Sequence, residues 1–372
     1  MGFNRGSKSS ILSFNVNDSH TVLLIEDAFE KVQEFNFRRY LDELPHASLY
    51  ARSRVVNQTL ERFGLHLMHK SSYETFRYSV MGKWSSVGTS KLAIEEPEEF
   101  DKIYSLLEDD DSKSTFDWFI KYRFAYALIG NLANKIFPPK LSEDEFIRSL
   151  KSLRINKQGL VRIGSFSFKA DPIGIGESWL LEQYYHDKCE VTEGDIVIDG
   201  GAFLGETAFW FISKGAAKVY AFEPDPSNYK VLLENIKRNN AYDKIIPKSI
   251  LLGEINGNGS LYSTGTSRSF GYIKGNVEVE ALTLDSFIEK EKLGKIDFIK
   301  LDVEGAEMAT LRGAVETIKQ CKPKMAISVY HKPEDIIEIQ KFLHSLLTDA
   351  KFYLSHKFFD WNETILFVNP RR

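Results

Sequence analysis

From Asp195 to the C-terminus, short apolar runs alternate with stretches in which apolar residues recur every third or fourth position. The runs "DIVID", "KVYAF", "IIPKSILL", "IDFIKLD", "KMAISVY", "KFYLS" and "TILFV" read as strands. They are apolar throughout instead of alternating, which predicts burial on both faces. Between them, "DPSNYKVLLENIKRNN" predicts a helix capped by Asp225, with Pro226 in its first turn and Tyr229, Leu232, Leu233 and Ile236 along one face. Leu311, Ala314, Val315 and Ile318 repeat that spacing after "IDFIKLD". The order predicts an α/β fold, a mostly parallel sheet of seven strands with helices on both faces. Two extended segments, "GSLYS" and "VEVEALTL", break the alternation and predict an inserted hairpin or edge.

Residues 1–158 have a different texture, rich in aromatics and charges and helical in pattern. "FDWFIKYRFAYALIGNLANKIFPP" predicts a helix started by Ser114 or Thr115 and stopped by Pro138 and Pro139. Ser142 and Glu145 have the spacing of a capping box. The acidic stretches "EEPEEFDK" and "EDDDSK" are expected to be solvated helix ends and loops. "GLVRIGSFSFKADPIGIGES" then predicts a hairpin leading into a second unit, residues 159–372.

Composition narrows the class. Of 372 residues, 43% are hydrophobic and 27% charged, ordinary for a globular chain. A formal net charge of −4 gives no basic surface for nucleic acid. Two cysteines, Cys189 and Cys321, make no disulfide framework and no cysteine-rich zinc site. The first residues lack the apolar core of a secretory signal, and no apolar run is long enough to span a membrane, so the expected location is the cytoplasm.

The candidate chemistry centres on "DIVIDGGAFLGETAFWFISKGAAKVYAFEPDP". In an open α/β sheet, ligands bind beyond the carboxyl ends of the strands, and Asp199 stands at the first such end. Gly201 and Gly205 are expected to let the backbone turn sharply and approach a ligand. A dinucleotide fingerprint fails at Ala202, where its second glycine belongs. A phosphate loop fails at Glu206, an anion where lysine belongs. Asp199, Gly201 and Gly205 instead fit the Asp-x-Gly-x-x-x-Gly motif of class I S-adenosylmethionine methyltransferases, whose ligand carries a sulfonium cation that suits an acidic mouth. Glu223, at the end of "KVYAFEP", is placed to accept the ribose hydroxyls. Gly200, Ala202 and Pro224 complete the predicted cofactor contacts.

Together, "GDIVIDGGAFLGETA", "AFEPDPSNYKVLLENI", "LTLDSF", "IDFIKLDVEGAEMATLRGA" and "ETILFV" resemble the FkbM family of methyltransferases over roughly Glu177 to Pro370. The resemblance implies a Rossmann-like methyltransferase domain that moves a methyl group to an oxygen, often of a sugar or polyketide. One departure is "DGG" where "DVG" or "DIG" is more usual, which should loosen the turn. The helical region before residue 158 carries no motif of the family. It is left as the holder of the acceptor, the site of a glycosyltransferase partner, or a self-association surface.

Period-two alternation puts Phe298, Lys300 and Asp302 on one face of a strand, so Lys300 and Asp302 are expected to pair. Asp302 or Glu304 would bind the acceptor hydroxyl, or a divalent metal that polarises it. The plainer reading is a buried ion pair with acids complementing a helix N-terminus. The next strand ends at Tyr330 and His331, and His331 is the candidate general base because its ordinary pKa lies near working pH. Tyr330 and Arg268 are candidate acceptor contacts, Arg268 for an anionic group, and Tyr184 or Tyr185 would meet the cofactor's methionine end. Two other functions stand beside methyl transfer. A nicotinamide oxidoreductase is disfavoured by Ala202, and a non-catalytic interaction protein would work through its N-terminal region.

Overall fold

The computed structural model of the chain describes residues 19–35, 70–261 and 277–370, with side chains from residue 81 onward in the second span. Arg268 and the connection around it lie outside the described residues.

The longer helices among the described residues that precede the sheet are α1 (His20–Glu34), α2 (Lys70–Glu95), α3 (Pro97–Ser105), α4 (Asp110–Ile129) and α5 (Glu143–Leu150). Helix α4 begins a turn earlier than Ser114. Asp109 caps it by accepting from the Ser112 N–H at 2.7 Å. Asp110 and Asp111 fill its first turn, where negative charge complements the helix dipole, so this acidic run forms a solvated helix end as expected. Its α-helix ends at Ile129, but a 3-10 turn over Gly130–Leu132 and a short helical turn over Ala133–Ile136 carry the segment up to the expected stop at Pro138. The capping box of Ser142 and Glu145 forms as expected on α5.

A small antiparallel sheet follows: β1 (Arg154–Ile155), β2 (Leu160–Ile163) and β3 (Phe166–Lys169). The main sheet comprises β4 (Ile196–Gly200), β5 (Lys218–Phe222), β6 (Ile245–Lys248), β10 (Phe298–Leu301), β11 (Lys324–Ser328), β12 (Lys351–His356) and β13 (Thr364–Asn369), in the order β12-β13-β11-β10-β4-β5-β6. Only β13 runs against its neighbours. The run "IIPKSILL" splits, because β7 (Leu251–Leu252) leaves the main sheet to pair with β9 (Val277–Leu282), which pairs with β8 (Gly257–Leu261). That small sheet is the inserted pair of extended segments. The helices of this half are α6 (Glu206–Ser213), α7 (Pro226–Arg238), α8 (Leu284–Glu291), α9 (Glu307–Arg312), α10 (Val315–Cys321) and α11 (Asp335–Leu346). A single helix is expected over Leu311 to Ile318; the chain instead leaves helical geometry at Gly313 and Ala314, and Gly313 packs where a Cβ would lie 2.1 Å from the Gly253 carbonyl oxygen.

Alternate residues of each central strand feed opposite cores. Ile198, Phe222, Ile299 and Leu301 join Leu24, Phe100 and Phe116 of the early helices in one core. Val197, Ala221, Phe298 and Ala326 join Phe168, Phe209 and Leu232 in the other. Helices α1, α3 and α4 therefore supply part of the layer on one face of the sheet. Strand β4 is followed by β5 and β6 on one side, and the chain then crosses to β10 on the other. The sheet order thus reverses between β4 and β10, and a crevice opens beyond their carboxyl ends. No helix among the described residues is long and apolar enough to cross a membrane.

Candidate active site

Register aligns the three strand ends that form the crevice. Gly200 stands opposite both Leu301 of β10 and Phe222 of β5. Beyond Gly200 the chain turns so that the N–H groups of Gly201 and Ala202 both donate to the Phe222 carbonyl, at 3.0 and 2.9 Å. Gly201 has φ +77°, and a Cβ there would fall 1.8 Å from the Asp302 carbonyl oxygen. Its bare α-carbon lets the neighbouring strand end come close, and the residue also lines the cavity beyond it. Gly205, with φ +100°, starts α6 where a Cβ would press on Leu232. The departure at Gly200 is filled from next door, since a side chain at that position would meet Leu301 at 2.7 Å.

The cavity enclosed by these ends holds about 1100 Å³ of empty space, counting its open mouth. Gly201, Ala202, Phe203, Glu223 and Pro224 line it, whereas Asp199, Gly200 and Gly205 do not. Those three shape the loop from beneath. Asp199 is wholly buried, accepting from the Thr207 hydroxyl at 2.6 Å and pairing with Lys300 Nζ at 3.1 Å. The register explains the pair: Lys300 lies directly across from Asp199. Lys300 therefore does not pair with Asp302 as the alternation along one strand suggested. Its ammonium also donates to the carbonyls of Gly200 and Gly201 at 3.0 and 2.7 Å. With three partners engaged, it braces the loop and is not free for proton transfer.

At the end of β5, Glu223 accepts from the N–H groups of Phe203 and Asp225, each at 2.9 Å. Burial pushes its pKa up to about 8, against the pull of those amide donors. Phe222, Ile250, Leu251, Leu252 and Leu261 form an apolar wall of the same cavity. Glu206, which the sequence offered only as an argument against phosphate, lines the cavity too. It is 3% exposed, its Oε1 meets no hydrogen-bond partner, and burial raises its pKa to about 8.

The other end of the cavity is a pole of carboxylates and phenols. Asp302 accepts from the Tyr184 hydroxyl at 2.7 Å, and the Tyr330 hydroxyl lies 3.2 Å from its other oxygen. Tyr330 is also 3.0 Å from Glu363 Oε1, so its single proton serves one carboxylate at a time. Glu363 is held by the side-chain amides of Gln183 and Asn362. Burial, then the Asp302 charge, raises the Tyr184 pKa well above the usual phenol value and keeps it a donor. Glu304 lines the same end with φ +53°. Tyr185 stays outside the cavity. Glu363 was not singled out in the sequence because it arrives from the turn before β13, far along the chain.

His331 does not line the cavity. It is 5% exposed, with Nδ1 3.0 Å from Glu307 Oε1 and Nε2 3.6 Å from both Asp302 and Glu304. Burial alone would lower its pKa, but Glu307, Glu304 and Asp302 outweigh that and raise it to about 10. An imidazolium at neutral pH is a poor general base, contrary to the sequence expectation. Asp302, Glu307 and His331 also offer ligand atoms within 4.8 Å of one another, the metal-competent grouping among the described residues, with Glu307 in the place expected for Glu304.

Comparison with known proteins matches this geometry to a family. A family model described as the methyltransferase FkbM domain matches residues 199–354. The hexuronic acid methyltransferase AglP of Haloferax volcanii is 29% identical over 188 residues, covering 49% of this chain and 73% of that protein. The methyltransferase sdnD of Sordaria araneosa is 24% identical, covering 49% of this chain and 83% of its own. The crystal structure of methyltransferase FkbM from Methylobacillus flagellatus KT superposes with a TM-score of 0.53 at 19% identity, over 85% of this chain and 70% of that one, and shares the fold. Strand ends, glycine turn and family match all fall within one stretch, and residues 199–354 are similar to the methyltransferase FkbM domain.

Proposed function

We propose that the protein transfers the methyl group of S-adenosylmethionine to a hydroxyl of a sugar or glycan. One observation carries the reading: a single cavity joins a buried acid and apolar wall at one end to a phenol-held carboxylate at the other. The residues present suit the donor. Glu223 accepts the ribose hydroxyls, the wall from Phe222 to Leu261 packs the base, and the unpartnered Glu206 oxygen receives the α-ammonium. When bound, the donor supplies an electrophilic methyl group on a sulfonium.

The chain's own residues then have two tasks. Tyr184 and Tyr330 fix the Asp302 carboxylate, which accepts the proton of the acceptor hydroxyl as the new C–O bond forms. Glu363 receives a second hydroxyl of the acceptor and orients it. His331 stands behind Asp302 as a cation and holds that carboxylate ionised. Support for a sugar acceptor comes from the hexuronic acid methyltransferase relative. The test uses methyl-labelled donor with a panel of hexoses, hexuronates and aminohexoses, followed by mass spectrometry of the product. Transfer to a sugar oxygen supports the reading; transfer to none, with the donor bound, overturns the acceptor class.

A further inference from the structure

Arg123 of α4 is the largest fully buried side chain, 1% exposed, and no carboxylate among the described residues lies within ion-pair distance of it. Burial pulls its pKa down to about 10, which leaves it charged at neutral pH. An unpaired buried cation is costly, and a Met or Leu of similar volume would pack without that cost. What the guanidinium touches accounts for its presence. Nη2 donates to the Tyr330 carbonyl at 3.4 Å, and Nη1 donates to Ser85 and Ser86 hydroxyls at 3.1 and 3.4 Å. Ser85 in turn donates to the same Tyr330 carbonyl at 3.1 Å. The guanidinium plane also lies 5.4 Å from the Trp361 ring, two residues before Glu363.

The surrounding helices approach these two loops as closely as packing permits. A Cβ on Gly82 of α2 would meet the Trp361 ring at 2.6 Å, and one on Gly88 would meet Pro333 at 2.4 Å. Thr89 donates to the Pro333 carbonyl at 3.1 Å. Next to Arg123 on α4, the Tyr122 hydroxyl reaches Asp360 at 3.3 Å. Both loops deliver groups to the carboxylate pole: Tyr330 from the end of β11, Glu363 from the turn before β13.

We infer that Arg123 is a positioning residue, a cation inserted by α4 to fix the Tyr330 backbone and the Trp361 ring. Through them it sets the Tyr330 phenol between Asp302 and Glu363. The helical segment ahead of the sheet is thereby a working part of the transfer site. The inference rests on the reading of that pole as the acceptor end, but its test does not depend on which acceptor is used.

The probe is 3-fluorotyrosine placed singly at Tyr330 or at Tyr184 of the full chain, read by fluorine NMR, with S-adenosylhomocysteine binding measured by calorimetry. In Arg123→Met the Tyr330 resonance is expected to shift or split while the Tyr184 resonance stays in place. S-adenosylhomocysteine affinity should stay within about twofold, and turnover on a sugar methylated by the wild type should fall about 10- to 100-fold, the scale of a misplaced catalytic group. A Tyr330 resonance coincident with wild type, or a melting-temperature drop with both resonances unmoved, overturns the inference. Should Arg123→Met fail to fold, Ser85→Ala removes one of the two donors to the Tyr330 carbonyl, and an unmoved Tyr330 resonance there overturns it equally. Absence of S-adenosylhomocysteine binding to the wild type would sink the donor assignment and leave the Tyr330 result standing.

Discussion

On the proposed donor site, the buried carboxyl of Glu223 makes donor binding depend on pH. Its pKa of about 8 means that the free protein carries it mostly protonated at neutral pH. A ribose diol brings two donors, and a protonated carboxyl must give up one acceptor position to meet them. The ionised form therefore binds more tightly, and binding releases a proton. With a pKa of about 8, the ionised fraction is ~1% at pH 6 and ~90% at pH 9, so affinity should rise close to a hundredfold across that range and level off above it. Glu206, also raised to about 8, titrates in the same window and adds to the slope. The Glu223 contribution is therefore the difference between wild type and Glu223→Gln. That variant should lose about 10- to 100-fold in affinity at pH 9, the worth of hydrogen bonds to a charged group, and show a shallower pH profile. Calorimetry with S-adenosylhomocysteine in phosphate and in Tris measures both quantities, because proton release appears as a buffer-dependent heat. A dissociation constant flat from pH 6 to 9, or an identical slope in the variant, would refute the reasoning.

Three further outcomes follow from the same geometry. Gly201→Ala should destabilise by at least ~2 kcal/mol in urea unfolding, since a left-handed backbone alone costs ~1–2 kcal/mol and the new Cβ also strikes the Asp302 carbonyl; an unchanged midpoint would contradict this. The ligand-free protein should melt at lower temperature as pH rises from 7 to 9. Glu206 and Glu223 hold protons in the folded state that the unfolded chain has released, and His331, raised to about 10, acts with the same sign, its stabilisation being lost as pH climbs toward that value; scanning calorimetry showing a rising melting temperature would count against it. Asp302→Asn should cut turnover by ~10²- to 10⁴-fold with S-adenosylhomocysteine binding retained, while a chelator leaves the wild type unaffected; loss of activity on chelation would assign a metal to Asp302, Glu307 and His331.

The parts legible in the sequence were those written in neighbouring residues. "KVYAF" is β5 to the residue, and Asp225 with Pro226 starts α7 as expected, because a cap and a proline act within one turn. The glycine turn and Glu223 were legible because they occupy strand ends. What failed depends on register or on distant chain. Alternation along β10 put Lys300 and Asp302 on one face, but which acid Lys300 meets is decided by β4, lying opposite in the sheet. His331 was read by its ordinary pKa, whereas its charge is set by Glu307, which a turn and a helix start bring beneath it. Asn235, a polar residue inside an apolar helix face, is buried because its amide bonds Lys169 and Leu204, two segments that no local pattern ties to α7.

Register and distant chain also decide which charges face the cavity. The cavity wall carries the carboxyl groups of Glu206, Glu223, Asp302, Glu304 and Glu363, and Lys300, which also lines it, is already engaged by the chain itself. Lys300 is turned onto Asp199 and two loop carbonyls, His331 onto Glu307, and Arg123 onto the Tyr330 carbonyl. A phosphate-bearing ligand would need the opposite arrangement, with cations and amide donors facing inward. Here the two amide groups at the bend, of Gly201 and Ala202, donate to the Phe222 carbonyl, and the Phe203 amide donates to Glu223. The glycine bend thus spends these amide donors on the chain itself, in keeping with the failure of both phosphate motifs in its sequence. With these cations engaged by Asp199, Glu307 and backbone carbonyls, the wall presents carboxyl groups and few donors, which on the proposed reading suits a positively charged methyl donor better than a phosphate-bearing nucleotide.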